Sequence, residues 1–195
     1  MKKVLLTFDD GPSEHFDKLL SYLIKNNYKS IFFCLGKNLE IPKRRKQVIK
    51  AIKKGFLIGN HSYSHPNFNI LSFKKAKEEI LKTDKIIEKI YQEAKVKRPI
   101  KLFRFPYLRR GLLNYFRIQK LLKKLDYKNI ITSWRYDVGC SLSTKDWDKK
   151  TTSEFAIKRI QNVKWGDIVG LHDQDHSRKN LLVPICGFLH SKNLI

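Results

Sequence analysis

The chain has 195 residues, enough for one domain with a sizeable core, and we predict a single domain over residues 1–195. Hydrophobic residues make up 42% of it and aromatic residues 12%, a composition that excludes a disordered chain. The 41 Lys and Arg residues against 18 Asp and Glu residues give a formal net charge of +23, which favours an anionic partner: nucleic acid, acidic polysaccharide or an anionic membrane face.

The first residues do not form a complete targeting signal. The apolar run after Lys3 ends at Asp9, too short for a signal-peptide core, and no stretch approaches the roughly 20 apolar residues of a membrane span. The sequence as given predicts a protein of the cytoplasm or of the cytoplasmic membrane face, exported if a leader has been removed. Cys34, Cys140 and Cys186 are widely spaced and odd in number, which indicates small core residues rather than a disulfide framework.

Apolar runs typical of strands alternate with amphipathic runs typical of helices. In chain order they are strand 4–8, helix 16–26, strand 30–35, helix 43–54, strand 56–59, helix 73–94, strand 101–105, helix 116–125, strand 130–134, helix 153–163, strand 167–171 and helix 179–190. Continuous apolar strands separated by helices indicate a parallel sheet covered on both sides, as in a barrel or a doubly wound sheet.

Polar residues lie at the carboxyl ends of four of the predicted strands. Asp9 and Asp10 follow the first, His61 the third and His172 the last, while Arg104 closes the strand over 101–105. The carboxyl ends of the strands of a parallel barrel converge on one face, where such folds build their active sites. The sequence therefore predicts that these residues share one site.

The carboxylate pair offers two functions. One of Asp9 and Asp10 can act as a hard metal ligand while the other serves as a base beside a metal-bound water. Gly11-Pro12 then forces a turn. By itself the pair also fits an ordinary turn or helix cap.

His61 and His65 are four residues apart, a spacing that places both imidazoles on one side of a helical turn capped by Asn60. Ser62 stands where a zincin motif has its glutamate base, so the base must come from elsewhere, and Asp9 is the candidate. Two His and one Asp are a common ligand set for catalytic zinc, with one position left open. By themselves the two residues also fit surface histidines.

Three further residues could complete such a site. Arg104 could keep Asp9 ionised and oriented. Tyr107, after Pro106, could present its backbone N–H to an oxyanion, and His172 could act as a general acid. By themselves, Arg104 also fits a surface arginine and His172 a buried or rim histidine.

Together these motifs resemble the polysaccharide deacetylase (NodB-homology) family, carbohydrate esterase family 4. The resemblance runs from residue 4 to about residue 173 and rests on Thr7-Phe8-Asp9-Asp10-Gly11-Pro12, His61-Ser62-Tyr63-Ser64-His65, Arg104-Phe105-Pro106-Tyr107, Asp137 with Asp146-Trp147, and Leu171-His172-Asp173. It implies a distorted (β/α) barrel with the active site at the carboxyl ends of the strands. It also implies one divalent metal, zinc by first preference, with cobalt, nickel and manganese as alternatives.

The resemblance also implies a role for each residue. Asp10, His61 and His65 would bind the metal, Asp9 would be the base, His172 the acid, Arg104 the partner of Asp9 and Asp137 the carboxylate that tunes His172; Pro106, Tyr107, Trp147 and Leu171 would bind substrate. The implied reaction is hydrolysis of N-acetyl groups on an amino-sugar polysaccharide, oligosaccharide or glycolipid, with an anionic or membrane-associated substrate favoured by the charge.

Other functions remain open from the sequence. The same residues suit removal of an O-acetyl or formyl group from a related sugar, including a lipid-phosphate-linked one, and a fold of this kind could bind glycan without catalysis. A basic nucleic-acid-binding protein would explain the charge, but no glycine-rich, zinc-finger or aromatic RNA-binding motif is present, so no specific nucleic acid is expected. The basic segment 42–54 could lie on an anionic membrane face or be a helix with a solvated side.

Overall fold

The computed structural model describes residues 3–110, 113–129, 136–175 and 177–195. A five-stranded sheet with the order β3-β2-β1-β5-β4 forms its centre. The strands are β1 (Leu5–Gly11), β2 (Ser30–Cys34), β3 (Leu57–Asn60), β4 (Leu142–Ser143) and β5 (Ile168–His172). Every pair of neighbours in this order is parallel, which confirms the predicted parallel α/β arrangement.

Helices connect and cover the strands. They are α1 (Phe16–Lys25), α2 (Gly36–Leu39), α3 (Pro42–Lys53), α4 (Phe73–Ala94), α5 (Tyr115–Lys124), α6 (Ser153–Arg159) and α7 (Leu182–Ser191), with a 3-10 turn at Pro106–Leu108 and a π-helical turn at Ser177–Leu181. The Ser72 hydroxyl caps α4 by accepting from the Lys75 N–H, and Lys95 ends the helix with a left-handed φ of 56°. Among the described residues, no helix has the length and apolarity to cross a membrane.

Side chains of the central strands alternate between two environments. Leu6 and Phe8 of β1 pack into the main core, which α1, α3, α4 and α7 also enter. Leu5 lies on the opposite side, against a smaller cluster that includes Phe33. Because successive strand residues point to opposite faces, Thr7 and Asp9 continue the row of Leu5. The base candidate therefore lies on the inner face of the sheet, at the carboxyl end of its central strand.

Two of the predicted strands, 101–105 and 130–134, are not among the five strands that the described residues form. Residues 101–105 form single parallel bridges, Phe103 with Asn60 and Lys101 with Tyr127, and not a continuous ladder. These bridges continue the parallel pairing beyond β3. The predicted strand 130–134 lies outside the described residues. The two-residue β4 and the four-residue α2 were not predicted, because elements this short carry no readable periodicity.

Candidate active site

The end of β1 presents both carboxylates. The pairing of β1 with β2 shifts register between Phe8 and Gly11, and Asp10 has a positive φ of 68°. This irregularity breaks the strict alternation that would send Asp9 and Asp10 to opposite faces. The side-chain amide of Asn38 donates to the carbonyl oxygen of Asp10 at 2.9 Å and holds the bend. Both carboxylates can therefore take part in one site.

His61 and His65 lie on the irregular loop between β3 and α4, not on the predicted helical turn. Ser62 and His65 have positive φ angles of 68° and 67°, which a helical turn excludes. Asn60 accepts from the Ser62 N–H at 2.9 Å, so it stabilises a local turn and does not cap a helix. The loop nevertheless brings both imidazoles together, with ring centroids 5.1 Å apart.

The loop and the end of β1 form a possible metal site. One ligand atom from each of Asp10, His61 and His65 lies within 4.8 Å of the others. Asp10 Oδ1 is 3.1 Å from His65 Nε2 and 3.5 Å from His61 Nε2. This oxygen is buried and has no hydrogen-bond donor among the described residues, as expected for an atom that faces a cation.

The donor set fits a divalent metal. His61 Nδ1 donates to the carbonyl oxygen of Arg104 at 2.9 Å, which leaves Nε2 with its lone pair toward Asp10. Burial raises the pKa of Asp10, but the imidazoles of His61, His65 and His172 around its carboxylate outweigh burial and bring this pKa well below its ordinary value. Two imidazole nitrogens and an ionised carboxylate suit catalytic zinc, with room for a further ligand.

Arg104 is fully buried and holds Asp9 in place. Its Nη1 donates to Asp9 Oδ1 and to the Thr7 hydroxyl, both at 2.8 Å. The remaining guanidinium nitrogens donate to the carbonyl oxygens of Val138 and Gly139. The guanidinium also lies 4.2 Å from the ring centroid of Phe33. A buried cation satisfied in this way holds the Asp9 carboxylate in a fixed orientation.

His172 is paired with Asp146. Nδ1 of His172 donates to Asp146 Oδ1 at 2.8 Å, and its backbone N–H donates to Asp146 Oδ2 at 2.7 Å. Burial lowers the pKa of His172, but the hydrogen bond and charge of Asp146, with the charges of Asp9 and Asp10, raise it to about 9. The raised pKa favours the protonated imidazole, the state that a general acid needs.

Asp137, predicted to tune His172, is not the carboxylate paired with it, because His172 donates to Asp146. Asp137 accepts from Gln119 at 2.9 Å and from Arg110 at 3.3 Å, away from the imidazole. The physical reason is topological: Asp146 follows β4, which pairs directly with β5, so its carboxylate reaches the end of the strand that carries His172. Asp137 instead precedes Val138, whose carbonyl oxygen accepts from Arg104.

The predicted substrate-binding residues lie in different environments. The rings of Tyr107 and His65 are in contact, with centroids 4.4 Å apart, and Tyr107 is 62% exposed. Trp147 directly follows Asp146 and is half exposed. Pro106 and Leu171 are buried, and Leu171 is part of the main core. Tyr107 and Trp147 are thus the two of the four with surface available for a sugar.

Sequence reasoning assigned no role to several residues that hold the site. Asp146 was noted beside Trp147 without a role; it also accepts from Thr144, two residues before it, and from Ser177. Asp173 accepts from both the N–H and the hydroxyl of Ser13, which joins the β5 end to the turn after Asp10. The sequence pattern offered a signal only for Asp146 and Asp173, which adjoin recognised residues; long-range hydrogen bonds leave no such signal.

Comparisons with known proteins agree with this architecture. The family model described as polysaccharide deacetylase matches residues 1–130. A peptidoglycan-N-acetylglucosamine deacetylase of Bacillus cereus is 29% identical over 189 residues, which cover 96% of this chain and 80% of that protein. A second B. cereus protein of the same name is 40% identical over 90 residues, so the match spans 32% of that relative's length.

Solved structures match as well. The peptidoglycan deacetylase PdaC from Bacillus subtilis superimposes with a TM-score of 0.73 and 29% identity, covering 97% of this chain and 85% of that one. A CE4 family pseudoenzyme from Bacillus anthracis has a TM-score of 0.77 at 20% identity, covering 99% of this chain and 62% of that one, and shows similarity of fold alone. The predicted fold class is confirmed, and the chain belongs to the polysaccharide deacetylase family, carbohydrate esterase family 4.

Proposed function

We propose that this chain is a metal-dependent hydrolase that removes N-acetyl groups from an amino-sugar polysaccharide, oligosaccharide or glycolipid, acting as one catalytic domain. The observation that carries the proposal is the close grouping of Asp10, His61 and His65 within 4.8 Å. Asp9 and His172 are register partners on the adjacent strands β1 and β5, so a base and an acid flank this group. The names of the B. cereus and B. subtilis relatives support peptidoglycan as the first substrate class to test.

Each residue has a distinct task in the proposed reaction. A divalent metal bound by Asp10, His61 and His65 would polarise the acetamide carbonyl and acidify water. Asp9, oriented by its hydrogen bond from Arg104, accepts the proton of the attacking water. The backbone N–H of Tyr107 stabilises the tetrahedral oxyanion.

His172 supplies the proton that the leaving group needs. Asp146 orients its imidazole and favours the protonated form, so His172 donates a proton to the departing sugar amine. The products are a free amine and acetate. Trp147 would cover the acetyl methyl group with its half-exposed ring.

The function can be tested by acetate release. We expect that metal-free protein releases no acetate from peptidoglycan fragments or N-acetylglucosamine oligomers, and that adding zinc or cobalt restores release. His65→Ala removes one of three ligands and should lose both metal and activity, because two remaining ligands bind weakly. Metal content by elemental analysis and acetate by enzymatic assay are the measurements.

The contrary results are also informative. Release by metal-free protein, or a normal metal content in His65→Ala, would refute the ligand assignment. Metal binding without release from these substrates, from an acetylated xylan or from a formylated sugar would point to a lipid-linked substrate, and further failure on an acetylated glycolipid would assign the chain a binding role, as in a pseudoenzyme. An acetylated xylan included in the panel separates O- from N-deacetylation.

We also propose that the substrate is negatively charged, and the lysines of α3 support this part of the proposal. Four exposed lysines on α3, Lys43, Lys46, Lys50 and Lys53, follow helical spacing, so they lie along one side of the helix. Helix α3 contains no acidic residue, and none of the four lysines forms an ion pair within the described part of the chain. Arg44, near the start of this stripe, donates to Asn38, which in turn binds the Asp10 carbonyl.

Reversing the charge of these four lysines should weaken the binding of an anionic substrate. We expect that changing all four lysines to Glu raises KM for anionic peptidoglycan fragments by roughly tenfold and leaves kcat unchanged, because the local field concentrates a negatively charged chain beside the site. The KM for neutral N-acetylglucosamine oligomers should not change, and added salt should remove the difference. Reversal of Lys120, Lys123 and Lys124 on α5 is the control for net charge; an effect there of about three quarters the size, in proportion to three lysines against four, would attribute the change in KM to net charge.

A further inference from the structure

Every backbone N–H in the histidine loop, residues 61–65, has a hydrogen-bond acceptor. His61 donates to the Cys34 carbonyl oxygen, Ser62 to the Asn60 side chain and His65 to the Ser62 hydroxyl. The two remaining amides lie at the centre of the loop and belong to Tyr63 and Ser64. Both donate to the same oxygen, Oε2 of Glu79, at 2.8 Å each.

Glu79 makes one more contact with the loop. Its other oxygen, Oε1, accepts from the Ser64 hydroxyl at 2.8 Å. Consecutive backbone amides that point at one anion form a nest, in which charge-assisted bonds are stronger than neutral ones. Glu79 lies in the second turn of α4, a long helix anchored in two core clusters. The carboxylate therefore ties the loop to a rigid element.

The opposite side of the loop is held by α2. The N–H groups of Gly36 and Lys37 donate to the carbonyl oxygens of Ser62 and Tyr63 at 3.0 and 3.1 Å. Glycine is needed at position 36, because a Cβ there would lie 2.6 Å from Cδ2 of Tyr63. The loop is thus clamped between α2 amides and the Glu79 carboxylate, and this clamp supports the two left-handed residues Ser62 and His65.

The two imidazoles depend on the clamp to different degrees. The ring of His61 is oriented directly, since its Nδ1 donates to the Arg104 carbonyl oxygen. No described residue hydrogen-bonds to Nδ1 of His65; its ring contacts Tyr107 and Asp10, and its backbone position is set by the loop. The backbone just before His65 is the part that Glu79 holds.

We propose that Glu79 is a positioning residue for the metal site: its carboxylate fixes the histidine loop so that His65 reaches the cation held by Asp10 and His61. This inference rests on the proposed metal site. Glu79 does not ligate the metal itself, because its oxygens are engaged by Tyr63 and Ser64. Removal of this support loosens one ligand of three and leaves the other two in place.

The test is metal affinity in purified, metal-free protein, measured by competition with a chromophoric chelator. Glu79→Ala should weaken zinc binding about tenfold to a hundredfold, the range typical for loss of groups that orient ligands. Glu79→Gln keeps one carbonyl acceptor for the two amides and should recover much of this loss. The visible spectrum of the cobalt-loaded protein should change in Glu79→Ala, because the coordination of the metal changes when His65 is displaced.

Controls separate positioning from folding and from charge. Glu78→Ala, the exposed neighbour on α4, removes the same charge and should keep wild-type affinity and spectrum. Glu79 lines an open surface cavity of about 710 Å³, so its truncation leaves no buried void. If Glu79→Ala does not fold, Ser64→Ala, which removes only the bond from the Ser64 hydroxyl to Oε1, should weaken zinc binding by a smaller factor, and unchanged affinity and cobalt spectrum in Ser64→Ala would overturn the positioning role.

The outcomes distinguish two failures. Absence of zinc binding by the wild-type protein would refute the proposed function itself. Tight zinc binding by the wild type with equal affinity and an identical cobalt spectrum in Glu79→Ala would overturn the positioning role alone. An equal loss in Glu78→Ala would also overturn it, since the effect would then be one of general charge.

Discussion

Asp9→Asn should abolish turnover while the protein keeps its metal. The amide cannot accept the proton of the attacking water, and loss of a general base costs about a hundredfold to ten-thousandfold in rate. Asp10, His61 and His65 remain in place, so metal affinity should be near that of the wild type. The measurements are kcat for acetate release and metal content per chain.

The variant also tests the buried ion pair. Arg104 stays fully buried and loses its anionic partner, but the Asn oxygen can still accept from Nη1. The destabilisation should therefore be smaller than the roughly 3–5 kcal/mol typical of removing one member of a buried pair. Asp17→Asn on the exposed side of α1 is the control, with unchanged kcat and stability. Retained activity in Asp9→Asn would exclude Asp9 as the base.

Asp146→Asn should move the alkaline limb of the pH–rate profile to lower pH. His172 works as an acid only while protonated, so activity is present below its pKa and is lost as pH rises through it. With Asp146 the pKa of His172 is raised to about 9. Without Asp146, burial still lowers this pKa, and only the charges of Asp9 and Asp10 raise it. A fall to the ordinary value of about 6.5 leaves roughly 3% of His172 protonated near pH 8, a loss of about thirtyfold in rate.

A bound cation does not change the sign of this prediction. It offsets the charges of Asp9 and Asp10 and moves the limbs of both proteins to lower pH, while the difference caused by Asp146 persists. The measurement is kcat/KM from about pH 5 to pH 10. Asp137→Asn is the informative control, because Asp137 does not contact the imidazole. If Asp137→Asn moved the limb and Asp146→Asn did not, the pairing of His172 with Asp146 would have no role in catalysis.

Local patterns made much of the fold predictable. Helix α4 matches its predicted bounds, because buried positions recur every three or four residues and Ser72 provides a cap. The apolar strands β1, β2, β3 and β5 were equally clear. The segment 101–105 was not predicted correctly, since an apolar run indicates extended backbone but does not determine how many ladder hydrogen bonds it makes.

The site was predictable in its residues and less so in its contacts. Asp10, His61 and His65 were recognised as one ligand set, and the structure places them together. The carboxylate beside His172 was misassigned because the sequence offers two, Asp137 and Asp146, and the choice depends on which segment pairs with β5. The contact of Glu79 with the histidine loop was not predicted either, because a bond between a loop amide and a helix side chain leaves no periodic pattern in the sequence.

The position of β1 has a consequence for chain synthesis. This strand is synthesised before β5, which covers one of its two edges. Until β5 leaves the ribosome, β1 has a row of unpaired backbone groups, the kind of edge that associates with other chains. A proteolytic cut that removes β5 would expose the same edge and take His172 away from Asp9. Truncated products should therefore be both inactive and prone to aggregation.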